Sequence, residues 1–336
     1  MKKSELHNLR KYVGNMETLY GIREAMLVDG PEKGVRAFDV RNGQGLEFTV
    51  LSDRGMDIPF LRYKGMNIGF GSKVEIKAPQ FYAEDGNRGF LRQFNGGFLT
   101  TCGITYTGTS TQDDGEMLGM HGTYSNTPAK HVVAEEVCKE DEIVLCLRGQ
   151  VREACLYGCN MLLRREIRVN TESNRMQLID ITENQSFEPV PLMLLYHINF
   201  GYPMLDEGVR LKVNSKKVFA RSEFATSELD SYDCMIAPEV GRSDQCYHHE
   251  DFGEQGIVVV ENEKQKVAAT IRFNAKNMPY LCEWKCMRAG DYALGIEPSV
   301  SGVQNRKIAK ERGILHYLAA GETYTTGFEL EFKDLE

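Results

Sequence analysis

The sequence predicts an all-β protein, and three observations carry that expectation. Apolar residues recur with period two, turn-forming clusters return at short intervals, and convincing amphipathic helices are scarce. Short strands with such regular punctuation build sandwiches or barrels. The clearest strand is ETYTTGFELEFK near the C-terminus. Tyr324, Thr326, Phe328, Leu330 and Phe332 lie on one face, and Thr325, Glu329 and Glu331 on the other. That alternation marks an antiparallel strand with one face on the core. EIVLCLRGQV sets Ile143, Leu145 and Leu147 on one side, and NMLLRREIRV does the same with Met161, Leu163, Ile167 and Val169. RMQLIDITEN, GIVVVEN and KVAATIRFN continue the series, separated by DGPEKG, RNGQG, NTESN, ENEKQ and similar turn chemistry. GNMETLYGIREAML could form a short helix, but GIREAMLVDG also reads as a strand running into a turn, and period alone does not separate the two.

The 336 residues contain no linker, low-complexity block or internal repeat, so one β domain spanning 1–336 is the economical expectation. Forty basic against 48 acidic residues give a net charge of −8 without basic runs. That balance argues against nucleic acid or an anionic membrane as partner. It also disfavours a polyanionic substrate, while leaving room for one phosphate on a few local arginines. No window approaches the roughly 18 consecutive apolar residues of a membrane span, and MKKSELHNLRKY has no apolar segment behind it. Nine cysteines lie mostly in strand-like patterns, as expected of reduced thiols in a cytoplasmic protein. Cys155/Cys159 and Cys282/Cys286 lack zinc-knuckle spacing, so no metal is expected. Association with further copies of the chain stays open.

Four stretches are too polar or too glycine-rich to be plain strands. GFLRQFNGGFLTTCGI places Arg92 shortly before Gly96-Gly97; its fork of donors suits hydroxyls or a carboxylate, against the plain alternative of a surface arginine in a hairpin. MLGMHGTYSNTPA gathers His121, Tyr124 and Asn126, neutral hydrogen-bonding groups of the kind that hold sugar hydroxyls. LLYHINFGYP buries His197 in an apolar run, where a core histidine must find a hydrogen-bond partner. DYALGIEPSVSGVQN alternates Tyr292, Leu294 and Ile296 with Ala293, Gly295 and Glu297. Glu297 therefore points away from the aliphatics, beside the gap at Gly295, with Asn305 in the following loop.

Taken together, LSDRGMDI, FNGGFLTTCGI, MHGTYSNTPA, LLYHINFGYP and LGIEPS resemble the aldose 1-epimerase (galactose mutarotase-like) family, in a less-characterised branch. The resemblance runs from about residue 35 to the end. It implies a β-supersandwich of two large antiparallel sheets with a sugar cleft. It implies Glu297 as general base, His197 as general acid, and His121 and Arg92 in contact with substrate. The partner is a small carbohydrate, and no cofactor is required. The sequence departs from better-known members around both histidines, and Asp233, Asp244, His248 and Glu250 all compete for the place of their mid-chain substrate aspartate.

Mutarotation needs two coordinated proton transfers, one at the anomeric hydroxyl and one at the ring oxygen. A carboxylate and an imidazole on opposite sides of the ring suffice, each favouring the other's charged form. Asn126, Tyr124 and Asn305 are candidates to hold hydroxyls. Trp284 offers a face for a pyranose, although core packing is the plainer reading of a large aromatic. Asp53 and Arg54 read as a structural ion pair. Three other functions compete: an isomerase acting on a keto or acid sugar, a carbohydrate sensor without turnover, and a metalloenzyme using His121, His197, His248 and Glu297. The last lacks a tight ligand motif.

Overall fold

A computed structural model describes residues 2–336. Two large antiparallel sheets dominate it. One runs, in spatial order, through Gly21–Met26, Arg36–Arg41, Leu46–Leu51, Asp57–Tyr63, Leu99–Cys102, Leu195–Phe200, Ala293–Ser299, Tyr280–Cys286, Gln245–Glu250 and Lys217–Ala220. The other has eight strands, in the order Lys130–Lys139, Glu142–Ala154, Asn160–Asn170, Arg175–Asn184, Thr323–Asp334, Val267–Asn274, Gln255–Asn262 and Arg210–Val213. Of the sandwich or barrel that the alternating pattern allows, this is the sandwich, with the two large sheets that the family resemblance implies. The helices are short, and none among the described residues is long and apolar enough to cross a membrane. The ambiguous GIREAM segment is a strand, because pairing with Arg36–Arg41 settles a choice that local propensity leaves open.

The inner faces follow the period of two. Ile143, Leu145, Leu147, Met161, Leu163, Ile167, Phe328, Leu330 and Phe332 all lie in one core cluster with Tyr196, Ile198, Leu294 and Ile296 from the facing sheet. Within that core lies one charged knot. Arg165, 1% exposed, donates to both oxygens of Asp180 at 3.0 and 2.7 Å. It also reaches Asp57 at 3.1 Å and the Thr101 hydroxyl at 2.9 Å. Asp57 and Thr101 belong to one sheet and Asp180 to the other, so a single guanidinium ties the two layers.

Two central strands of the first sheet are covered on both faces. Leu195–Phe200 and Ala293–Ser299 are buried at every residue. Their inner sides join the main core, while Leu195 joins a second, smaller cluster with Phe90, Cys102, Cys282 and Val303 on the outer side. Loops from elsewhere in the chain roof that outer face.

Candidate active site

The site is a patch of two neighbouring rows of side chains on the outer face of the first sheet. Strand register builds both. Pairing of Ile198 with Ile296 and Asn199 with Gly295 sets His197 directly opposite Glu297. Glu297 in turn faces Cys282, and Cys282 faces His248. One step along the strands, Asn199, Gly295, Trp284 and Cys246 form the second row, and the Arg221 amide continues it by donating to the Cys246 carbonyl at 3.0 Å. Successive strands are spaced about 4.8 Å apart, so residues far apart in sequence become side-by-side neighbours.

His197 Nε2 lies 3.2 Å from Glu297 Oε1, and both side chains are almost wholly buried. His197 Nδ1 is 2.6 Å from Asn199 Oδ1. The Asn199 amide nitrogen donates to the His197 carbonyl at 3.0 Å, so its oxygen is the acceptor and Nδ1 carries a proton. Nε2 is thereby committed to Glu297. Burial pushes the Glu297 carboxyl well above its ordinary range, with Cys246 adding to the rise and Arg221 opposing it. Burial pushes His197 down to about 4, partly offset by Asn199. The charge support expected between the two residues is thus outweighed by desolvation, which favours a neutral carboxylic acid beside a neutral imidazole.

A cavity of about 560 Å³ opens over this patch, within the usual range of small-molecule sites. His197, Glu297, His121, Trp284, Phe90, Phe94, Met120 and Arg221 are among its walls. The Phe94 and Trp284 rings stand 5.0 and 5.5 Å from the His197 ring. The His121 ring is 6.2 Å from it. Burial drives His121 down to about 3, with the charges of His197 and Arg221 adding to the effect. The Gly108 amide points at His121 Nδ1 at 3.5 Å, which leaves Nε2 as the N–H that a neutral ring presents.

The structure brings together Glu297, His197, His121 and Trp284, and it does not bring Arg92, Asn126 or Asn305 to the cavity wall. Arg92 ends the short helix Asn87–Leu91 and turns outward to an exposed ion pair with Asp85 at 3.0 Å. Asn305 caps the helix Arg306–Glu311 by accepting from the Ile308 amide. Asn126 is buried away from the cavity with neither amide atom partnered. Trp284 is half-buried on the wall rather than packed in the core, and its Nε1 donates to Asp244 at 3.0 Å. Of the four candidates for a mid-chain acid, only Asp244 lines the cavity. The carboxylate and imidazole are side by side, not on opposite sides of a ring-sized gap. Asp53 and Arg54 are not paired: Asp53 accepts from the Arg36 amide, while Arg54 is spent on Lys77 and Gln93. The Gly96-Gly97 pair serves packing: a Cβ on Gly97 would meet Pro59 Cα at 2.7 Å. Arg221, Cys246 and Phe94 were not legible as site residues, since long-range register alone places them. Among the described residues, no three His, Cys, Asp or Glu side chains are grouped as a metal ion would need.

Comparison with known proteins agrees with this architecture. A Klebsiella pneumoniae protein, provisionally named an aldose 1-epimerase, superposes with a TM-score of 0.88 at 25% identity, over 95% of this chain and 86% of that one. A galactose mutarotase-like protein from Clostridium acetobutylicum gives 0.68 at 14% identity, over 95% and 100%. A galactose 1-epimerase from Lactobacillus acidophilus gives 0.60 at 12%, over 94% and 100%, and at such identities these last two speak to the fold alone. No curated protein matches the sequence. The family model described as a domain of unknown function (DUF4432) matches residues 32–332, and the chain belongs to that family, on a galactose mutarotase-like β-sandwich.

Proposed function

We propose that the chain is a cofactor-independent isomerase of the aldose 1-epimerase type, with Glu297 and His197 exchanging protons with the anomeric end of a sugar. The supporting observation is the contact itself. A buried carboxyl and a buried imidazole stand 3.2 Å apart, oxygen to nitrogen, at the wall of a sugar-sized cavity, and Asn199 fixes the ring. Shifted carboxyl and imidazole groups facing a cleft are the arrangement that general acid–base chemistry calls for.

The anomeric hydroxyl oxygen and the ring oxygen are bonded to one carbon. Two adjacent groups therefore match them better than two groups across the ring. Burial alone keeps the shared proton on Glu297. Moving it across the 3.2 Å contact gives a carboxylate and an imidazolium. Sugar hydroxyls and the Arg221 charge ease that transfer. Glu297 then takes the proton of the anomeric hydroxyl while His197 protonates the ring oxygen. The ring C–O bond breaks, the carbonyl end rotates, and closure returns both protons. After opening, the pair is again an acid and a neutral imidazole, the form that burial favours. Each positioned group contributes on the order of 10²–10⁴ in rate.

Magnetisation-exchange NMR between the α and β anomers of a sugar panel tests this. Faster exchange in wild type, lost in Glu297→Gln and reduced in His197→Asn, is the expected result. Binding without acceleration for any sugar would sink the enzyme reading in favour of a sensor.

A further inference from the structure

We infer that the cavity takes an anionic sugar, one bearing a carboxylate or a phosphate, whose negative group is held by Arg221. This rests on the proton-transfer reading for the sugar's other end, but its evidence is separate. Acidic residues outnumber basic ones in this chain, 48 to 40, yet of the three lysines and arginines lining the cavity only Lys73 has an acidic partner. Lys73 pairs with Asp291 at 2.8 Å, and Asp244 is tied to the Trp284 indole. Arg221 and Arg288 are different: both line the cavity, and among the described residues no carboxylate lies in ion-pair contact with either. Two arginines without acidic partners in one wall, in a chain with acid to spare, mark a place where the anion comes from outside. Guanidinium is the group suited to carboxylate and phosphate oxygens.

Position favours Arg221. It extends the row Asn199–Gly295–Trp284–Cys246 at the far end from the histidine strand, with two strands between its own and that of Glu297. That is roughly 14 Å at the backbone by normal strand spacing, a distance that the arginine side chain partly closes. Its charge acts on Glu297, His121 and Cys246 together, so it faces the cavity. A sugar with its anomeric carbon at Glu297, its ring along Trp284 and an exocyclic anion at Arg221 spans this line. Sequence composition disfavours a polyanion but leaves room for a single charged group, and this arrangement fits one.

The test uses the full chain and four probes: glucose, galactose, glucuronate and glucose 6-phosphate. Anomer exchange and equilibrium binding are both measured, for wild type, Arg221→Gln and Glu297→Gln. One anionic probe is expected to exceed its neutral parent in kcat/KM, and Arg221→Gln is expected to cut that anionic-to-neutral ratio about 10–100-fold, the scale of a charged hydrogen bond. Glu297→Gln should abolish exchange yet still bind the anion. Preference for glucuronate identifies a sugar acid, and preference for glucose 6-phosphate a sugar phosphate. Equal or better kcat/KM and binding for the neutral sugars would overturn the inference. So would an Arg221→Gln variant that loses both classes alike. If no probe is epimerised but anion binding disappears only in Arg221→Gln, the mutarotase reading fails and the anion site stands.

Discussion

His197 Nε2 and Glu297 Oε1 face each other at 3.2 Å across two antiparallel strands, with the other imidazole nitrogen held by Asn199 at 2.6 Å. The pair works only while it carries one shared proton. Burial lowers His197 to about 4, so below that pH a second proton occupies the pair and the base is lost. Burial raises Glu297, so only at a pH well above the ordinary carboxylate range does the pair lose its last proton. The expected kcat/KM profile is flat across neutral pH and falls at both ends. A single limb centred near the ordinary histidine value of 6.5 would contradict this assignment.

The same shift has a consequence for stability. The folded chain holds the Glu297 proton more tightly than the unfolded chain does, so the contribution of this group is fully present below 4.5 and is lost as pH rises toward the folded value. Glu297→Gln has no such loss. Its melting temperature relative to wild type should therefore climb between pH 4.5 and 7.5, in thermal unfolding followed by circular dichroism. A constant difference across that range would show that the carboxyl is not strained by burial.

Asn199 touches no reacting atom in this scheme and acts through His197. Removing its side chain in Asn199→Ala frees the imidazole to rotate and leaves the Nδ1 proton without an acceptor. A loss of about 10–100-fold in kcat is expected, the scale of an orienting hydrogen bond to a group that becomes charged. Asn199→Asp separates positioning from packing. A carboxylate at Nδ1 favours the imidazolium, so the acid limb of the pH profile should move upward. An unmoved limb would assign Asn199 a purely structural role.

Gly295 keeps the floor of the site open. A Cβ there would lie 3.1 Å from both Glu297 Oε1 and Trp284 Cβ, and 3.2 Å from His197 Cε1. Its backbone is ordinary extended strand, so alanine brings no conformational strain, only a push of a few tenths of an ångström on three neighbours. Gly295→Ala is expected to fold with a melting temperature close to wild type and to lose about tenfold or more in kcat, because proton transfer is sensitive to displacements of this size. Wild-type kcat would show that the pair has slack.

The alternation of apolar residues sufficed to foresee an all-β sandwich or barrel, because period two is a local property that tertiary packing preserves; the two large sheets came only with the family resemblance. Thr323–Asp334 and Asn160–Asn170 lie as their patterns require. Glu297 was legible for the same reason: the Leu294/Ile296 face had to be buried, which sent the carboxylate to the other side. His197 was legible as a buried histidine in need of a partner. Arg92, Asn126 and Asn305 misled because they sit in polar or glycine-rich stretches, yet such stretches also cap helices and pack turns. Arg221 was invisible because FARSEF has no local feature, and only the register of Lys217–Ala220 on Gln245–Glu250 carries it to the cavity. Arg165 carried an unused signal, a charged residue at the third position of the face that begins with Met161 and Leu163.

That arginine supports the strongest stability prediction. Arg165 balances Asp180 and Asp57 inside the sandwich, and Tyr196, next to His197, donates to the same Asp180 oxygen at 2.7 Å. Even beside Arg165, burial drives Asp57 up to about 6. Arg165→Met keeps the volume but leaves two carboxylates without a counter-charge, which costs about 3–5 kcal/mol by the usual penalty for breaking a buried pair. Urea unfolding at pH 7.5 should report that loss. The deficit should shrink as pH falls toward 4, because Asp57, raised to about 6 by burial, is then protonated and no longer needs the guanidinium. Adding Asp180→Leu and Asp57→Leu should recover part of the stability, since an apolar replacement of the whole knot removes the stranded charges. Because Tyr196 sits on the histidine strand, Arg165→Met should also lower kcat at temperatures where the chain remains folded. A variant with unchanged stability at every pH would mean that water or relaxation supplies what Arg165 is credited with here.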